Sequence, residues 1–101
     1  MPEENTQEQD VIAREITVEG VVTGVGFRFF VREVVMRIGD IKGYVRNVTR
    51  GQVECFFQGP RKNVEQAIQQ VRRGPPGARV DRCNVRETSV NNKYDRFSIV
   101  P

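Results

Sequence analysis

The chain contains no histidine and no tryptophan, only two cysteines and no long hydrophobic run. Without histidine, Ser–His and Cys–His nucleophile pairs and a histidine general base are excluded. Cys55 and Cys83 are too few for a closed zinc site, which usually draws four nitrogen or sulfur ligands. No segment approaches the ~20 apolar residues of a membrane span, and no signal peptide precedes the first strand. We therefore expect a cytoplasmic protein without a metal site.

The size and charge of the chain indicate one domain behind an acidic tail. A length of 101 residues allows a single hydrophobic core. Residues 1–14 carry four carboxylates, one arginine and little to bury, and we predict that they form a disordered tail. Because this tail has a formal charge of −3 and the whole chain +3, residues 15–101 carry +6. A basic domain favours anionic substrates or nucleic acid, although many such domains bind neither.

Hydrophobic periodicity predicts the element order β-α-β-β-α-β. Helical spacing begins at Phe27 and ends at Gly39, and a second helix runs from Pro60 to Gly74. Right-handed crossovers then place both helices on one face of an antiparallel sheet, which is the α+β ferredoxin-like sandwich. Val80 and Cys83 are out of phase, which indicates a bulge or a wrong register. The predicted strands cover residues 15–22, 41–48, 52–58, 78–87 and 94–100.

A glycine-rich stretch joins the first strand to the first helix. Gly20, Gly24 and Gly26 permit backbone N–H groups to converge on an anion, and the helix N-terminus adds its own unpaired N–H groups. Arg28, where the loop meets the helix, offers a planar two-pronged donor that matches phosphate oxygens. The alternative is a plain turn with a solvated Arg28. The clustering of three glycines just before a helix favours anion binding modestly over a plain turn.

Asn47 lies at the end of the second strand, just before the hairpin turn at residues 49–51. Asparagine in this position is most often a turn former. Side chains alternate between the two faces of a strand, and Asn47 is an even number of residues from Gly43 and Val45. Asn47 therefore need not point the same way as Arg46. An uncharged amide can donate to and accept from one water, which suits orientation of the water rather than removal of its proton.

Two long motifs resemble the signatures of the acylphosphatase family. They read VEGVVTGVGFR at residues 18–28 and GYVRNVTRGQV at residues 43–53, and the likeness extends over residues 15–100. The resemblance implies a monomeric hydrolase of carboxyl-phosphate anhydrides that uses no metal or organic cofactor. It implies that Arg28 binds phosphate and that Asn47 positions the attacking water. It also implies an amide cradle formed by Thr23, Gly24, Val25, Gly26, Phe27 and Arg28.

One departure from the family pattern leaves an alternative function open. Members usually have glutamine where this chain has Thr23, whose shorter, β-branched side chain affects loop geometry. The alternative is a non-catalytic module of the same fold that binds an anion, a protein partner or RNA. Residues 42–46 faintly resemble an RNA-binding signature. Phe29 and Phe56 lie outside the periodic hydrophobic positions predicted to be buried, which makes them candidate exposed aromatics. That signature belongs on the third strand, however, so we do not expect nucleic acid as a partner.

Overall fold

The computed structural model describes residues 10–101, which form a five-stranded sheet and two helices. In chain order these are β1 (Val11–Val21), α1 (Phe27–Ile38), β2 (Lys42–Thr49), β3 (Gln52–Pro60), α2 (Arg61–Arg73), β4 (Arg79–Thr88) and β5 (Phe97–Ile99). The strand order is β4-β1-β3-β2-β5, and the ferredoxin-like α+β fold is confirmed. The sheet is mixed rather than wholly antiparallel, because β5 pairs in parallel with β2 at one edge.

Both helices bury an apolar stripe against the same face of the sheet. Buried side chains recur at spacings of three and four residues, which keeps them on one side of each helix. The stripe of α1 consists of Phe27, Val31, Val34 and Val35, and that of α2 of Val64, Ala67, Ile68 and Val71. The predicted inward positions of the central strands are confirmed as fully buried: Ile16, Val18, Val53, Cys55 and Phe57.

The bounds of the strands differ from the prediction most at β1 and β5. β1 begins at Val11, so residues 11–14 are part of the sheet and not of the tail. Ile12 and Ala13 are both buried, and two adjacent buried residues interrupt the alternation from which a strand is predicted. The rest of the predicted tail, residues 1–9, lies outside the described residues. β5 comprises only Phe97–Ile99, three residues later than predicted.

A β-bulge in β4 explains its irregular hydrophobic pattern. In the pairing of β1 with β4, Asp81 is an extra residue between the partners of Glu19 and Gly20. An extra residue reverses which side chains of a strand point inward. Val80 and Cys83, three positions apart, therefore both pack against the core. Of the two explanations that the sequence left open, a bulge or a wrong register, the bulge is confirmed.

Neither helix among residues 10–101 has the length and apolar composition that a membrane span requires.

Candidate active site

The loop between β1 and α1 depends on two glycines with left-handed backbone conformations. Gly24 and Gly26 have φ values of 74° and 75°. A Cβ added at either position would meet no atom within 4 Å, so the backbone conformation and not a lack of space requires glycine. Gly26 is also the N-cap residue of α1. The loop thus turns the chain sharply into the helix while leaving its surface open.

This loop presents backbone N–H groups that have no acceptor within the described part of the chain. The first intrahelical hydrogen bond of α1 is donated by Phe30 N to Gly26 O at 2.9 Å, so the N–H groups of residues 27–29 precede it. Among residues 10–101, the N–H groups of residues 24–26 donate to no backbone carbonyl, and no side chain caps the helix. The first turn contains no acidic residue. The positive end of the helix dipole is therefore not offset locally.

Gly20 has a structural role in the sheet and does not belong to the cradle. It lies inside β1, and its N–H donates to Gly51 O at 3.0 Å. Its φ is 142°, and an added Cβ would overlap the backbone carbonyl of Arg79 in β4. The expectation that Gly20 helps to hold an anion is therefore wrong, because its N–H is already bonded. The candidate cradle begins after this residue.

Arg28 differs from the arginines that lie on the surface of the sheet. It is half-buried in the first turn of α1. The ion pairs within residues 10–101 involve seven other arginines and do not include Arg28. Arg46 shows the contrast, since its Nε donates to Glu54 Oε1 at 2.7 Å. The Arg28 guanidinium therefore has no carboxylate partner among residues 10–101, and its two-pronged donors can bind an anion.

The register of the sheet places Asn47 on the side of the helices. Asn47 pairs with Val53 of β3, which pairs with Val18 of β1, and both valines are fully buried beneath the helices. Residues directly opposite each other share a face, so the Asn47 side chain points to that side too. It is exposed. A bulge with Val48 as the extra residue follows immediately and ends the regular pairing.

A small pocket brings the loop and the strand end together. Its volume is about 110 Å³, and its walls are Val22, Thr23, Gly24, Gly26, Phe27, Arg28, Phe29 and Asn47. Of the predicted site residues, Val25 alone does not line it. Because a water molecule takes about 30 Å³ in the liquid, the pocket suits a small anion with a water and excludes a large organic group. Phe29 is a wall residue that hydrophobic periodicity does not indicate, because it lies outside the buried stripe.

The pocket is lined by hydrogen-bond donors and contains no side chain that serves as a general base. Its walls include no carboxylate, thiol or phenol. Burial raises the pKa of the Cys55 thiol far above its usual range, and burial also raises the pKa of Cys83, so neither is a ready nucleophile. Both cysteines are free. The arrangement can bind an anion through Arg28 and the loop amides and orient a neutral molecule through Asn47.

The chain is similar in sequence to proteins of one known family. The family model for acylphosphatase matches residues 14–99. The acylphosphatase of Rhodopseudomonas palustris is 41% identical over 95 residues, which cover 89% of this chain and 95% of that protein. The acylphosphatase of Thermotoga maritima is 40% identical over 87 residues, which cover 86% of this chain and 94% of that protein.

Solved structures show the same relationship. The crystal structure of acylphosphatase from Bacillus subtilis superposes with a TM-score of 0.83 at 33% identity and covers 91% of this chain and 100% of that one. Full-length HypF in its phosphate- and nucleotide-bound form matches with a TM-score of 0.82 at 34% identity, over 91% of this chain and 12% of HypF. With a family match over most of its length and relatives above 30% identity, the chain belongs to the acylphosphatase family.

Proposed function

We propose that this protein hydrolyses the carboxyl-phosphate bond of small acyl phosphates to a carboxylate and inorganic phosphate. One observation carries the proposal: Arg28, the N-terminal loop of α1 and Asn47 border the same small pocket, although they are far apart in the sequence. Membership of the acylphosphatase family supports it independently. The proposed enzyme acts as a cytoplasmic monomer through a single domain and uses neither a metal nor an organic cofactor.

In this proposal the phosphoryl group is held by the loop and the arginine. The backbone N–H groups of residues 24–29 donate to the phosphoryl oxygens, and the Arg28 guanidinium adds two parallel hydrogen bonds and a positive charge. These donors are fixed in place before the substrate binds, because the two left-handed glycines and the helix determine their direction. Charge on the equatorial oxygens is therefore stabilised without reorganisation of the site.

Asn47 positions the attacking water. Its amide accepts one hydrogen bond from the water and donates another, which holds the oxygen in line with the phosphorus. The water oxygen bonds to phosphorus as the bond to the acyl oxygen breaks, and the electron pair leaves with the carboxylate. Such a leaving group and a loose transition state demand little of the nucleophile, so no general base is needed. The proton of the water passes to a phosphoryl oxygen of the substrate.

The face of the sheet opposite the two helices, here called the open face, gives less support to the alternative of an RNA-binding module. Phe56, a candidate exposed aromatic, is buried beneath Tyr44 and Tyr94, with ring centroids 6.0 and 5.0 Å away. Its ring is thus not free to stack on a base. Three carboxylates on the same face neutralise arginines in the pairs Arg46–Glu54, Arg82–Glu19 and Arg86–Glu15.

The assay that tests the proposal is hydrolysis of benzoyl phosphate by the wild type and by Asn47→Ala. We expect the variant to lower kcat by roughly 10²-fold, the loss typical of one positioning contact made in the transition state, while inhibition by inorganic phosphate changes little. Asn84, an exposed asparagine of β4, provides the matched control Asn84→Ala, which should retain the wild-type rate. Wild-type turnover no faster than that of Asn47→Ala would refute the proposal.

A further inference from the structure

We propose that an apolar groove beside the catalytic pocket binds the acyl group, so that the protein prefers acyl phosphates with apolar chains of several carbons. This inference rests on the proposed function. The groove has a volume of about 740 Å³ and lies between one side of α1 and the segment after α2. It is lined by Gly26, Phe29, Phe30, Arg32, Glu33, Met36, Pro75 and Pro76.

The groove adjoins the catalytic pocket. Gly26 and Phe29 line both cavities. Because the pocket is only about 110 Å³, a phosphate group held by the loop and the attacking water fill it, and the acyl group lies outside. Phe29 lies at the boundary between the two cavities, because it lines both of them. An acyl chain that extends past Phe29 therefore enters the groove.

The floor of the groove is unusually apolar for the outer surface of a helix. Phe29 is 62% exposed and Met36 is 65% exposed, although both are large hydrophobic residues. They lie seven positions apart, which puts them on one stripe of α1 about 10 Å from end to end. Pro75 and Pro76 face this stripe from the other wall. An apolar chain laid along the stripe would remove both side chains from water, which is favourable.

The charges in the groove argue against an ionic acyl group. Arg32 and Glu33, the two charged residues of the lining, have opposite signs and sit side by side on α1. They give the groove no net charge, so the overall charge of its lining does not select a second carboxylate over an amine. The groove therefore contacts an acyl chain mainly through the apolar side chains of its lining.

The test compares acetyl phosphate with hexanoyl phosphate. Straight-chain carboxylates leave with nearly equal ease, so the ratio of kcat/KM for the two substrates isolates contacts with the chain. For the wild type we expect hexanoyl phosphate to be favoured roughly tenfold, since four added methylene groups become partly buried. Phe29→Ala should bring the ratio close to one, and Met36→Glu should reduce it about threefold. Val90→Glu, at an exposed valine outside the groove, is the matched control and should preserve the ratio.

Inhibition by inorganic phosphate shows whether a variant has damaged the loop, because phosphate does not reach the groove. An active wild type that hydrolyses both substrates equally well would overturn the groove proposal and leave the proposed function intact. A Phe29→Ala variant that slows both substrates by the same factor, together with a Met36→Glu variant that keeps the wild-type ratio, would also overturn it. A wild type no faster than Arg28→Ala on either substrate would refute the proposed function, and the groove proposal with it.

Discussion

The two helices of this protein begin in contrasting ways. At α2, Arg61 N donates to the backbone carbonyl of Asp10 at 3.0 Å, and the Arg61 guanidinium bonds to the Asp10 carboxylate at 2.8 Å. At α1, the first N–H groups and Arg28 have no such partners within residues 10–101. Neither helix has a side-chain cap or an acidic first turn. A helix N-terminus becomes a candidate anion site when the neighbouring chain leaves its donors unbonded.

The difference arises from the segment that precedes each helix. α2 follows β3 without an intervening residue, and its N-cap residue is Pro60, which has no N–H to offer. Residues 22–26 separate β1 from α1, and two of them are glycines with positive φ. The longer, glycine-rich connection keeps other backbone and side chains away from the helix end. The connection, more than the helix, distinguishes the two ends.

The largest effect is expected from removal of Arg28, the arginine at the start of α1. Arg28→Ala should lower kcat/KM for benzoyl phosphate by roughly 10²-fold or more, about 3 kcal/mol of barrier, because the transition state loses a charged donor. Arg61→Ala is the matched control, since Arg61 already has an acidic partner far from the pocket, and it should leave kcat/KM within about twofold. Equal losses in the two variants would remove the distinction between the helix ends.

A smaller effect is expected from the backbone of the loop. Gly26→Ala should destabilise the fold by about 1 kcal/mol, because alanine disfavours the left-handed conformation. It should also lower hydrolysis more than tenfold through displaced N–H groups. Gly39→Ala provides the control at the other end of α1, where Gly39 has equally open space but a φ of 90° and a ψ of 159°, a region that alanine avoids more strongly than the left-handed one. Thermal unfolding should show a stability loss in Gly39→Ala at least as large as in Gly26→Ala, whereas benzoyl phosphate turnover should fall in Gly26→Ala alone.

The smallest effect is expected at the beginning of α2. Asp10→Ala removes a partly exposed ion pair, so we expect a loss of less than about 1 kcal/mol in the free energy of unfolding. Urea denaturation measures the loss, and the activity should not change because the residue is remote from the pocket. A loss of several kcal/mol would mean that the Asp10 side chain contributes far more to the docking of β1 on α2 than an exposed pair can.

Local sequence patterns predicted the parts of the fold and the candidate site that depend on neighbours in the chain. The stripe from Phe27 to Val34 and the helix end at Gly39 follow directly from periodicity and glycine conformation. Alternation along the strand also indicated that Asn47 need not point the same way as Arg46, because a regular strand alternates strictly up to its first bulge. The prediction that Arg28 and Asn47 share one pocket required the family motifs, since hydrophobic periodicity gives no distances between helices and strands.

The features that the sequence did not predict depend on contacts between distant segments. Residues 11–14 join β1 because β3 extends far enough to pair with all four of them, and β4 pairs with Ala13 and Arg14. Phe56 is buried because Tyr94, from the loop before β5, folds over it. The parallel addition of β5 beside β2 is likewise a pairing of remote segments. Phe29 lines both the pocket and the groove only because two loops meet beside α1.

A titration of the ¹⁵N-labelled protein with inorganic phosphate, followed by NMR, distinguishes the two helix ends. We expect the amide signals of residues 24–29 to shift together and saturate and the signals of residues 61–63 at the start of α2 to stay in place. We also expect Arg28→Ala to abolish the shifts. Shifts of equal size at both helix ends, or shifts spread over the arginines of the open face, would contradict these expectations.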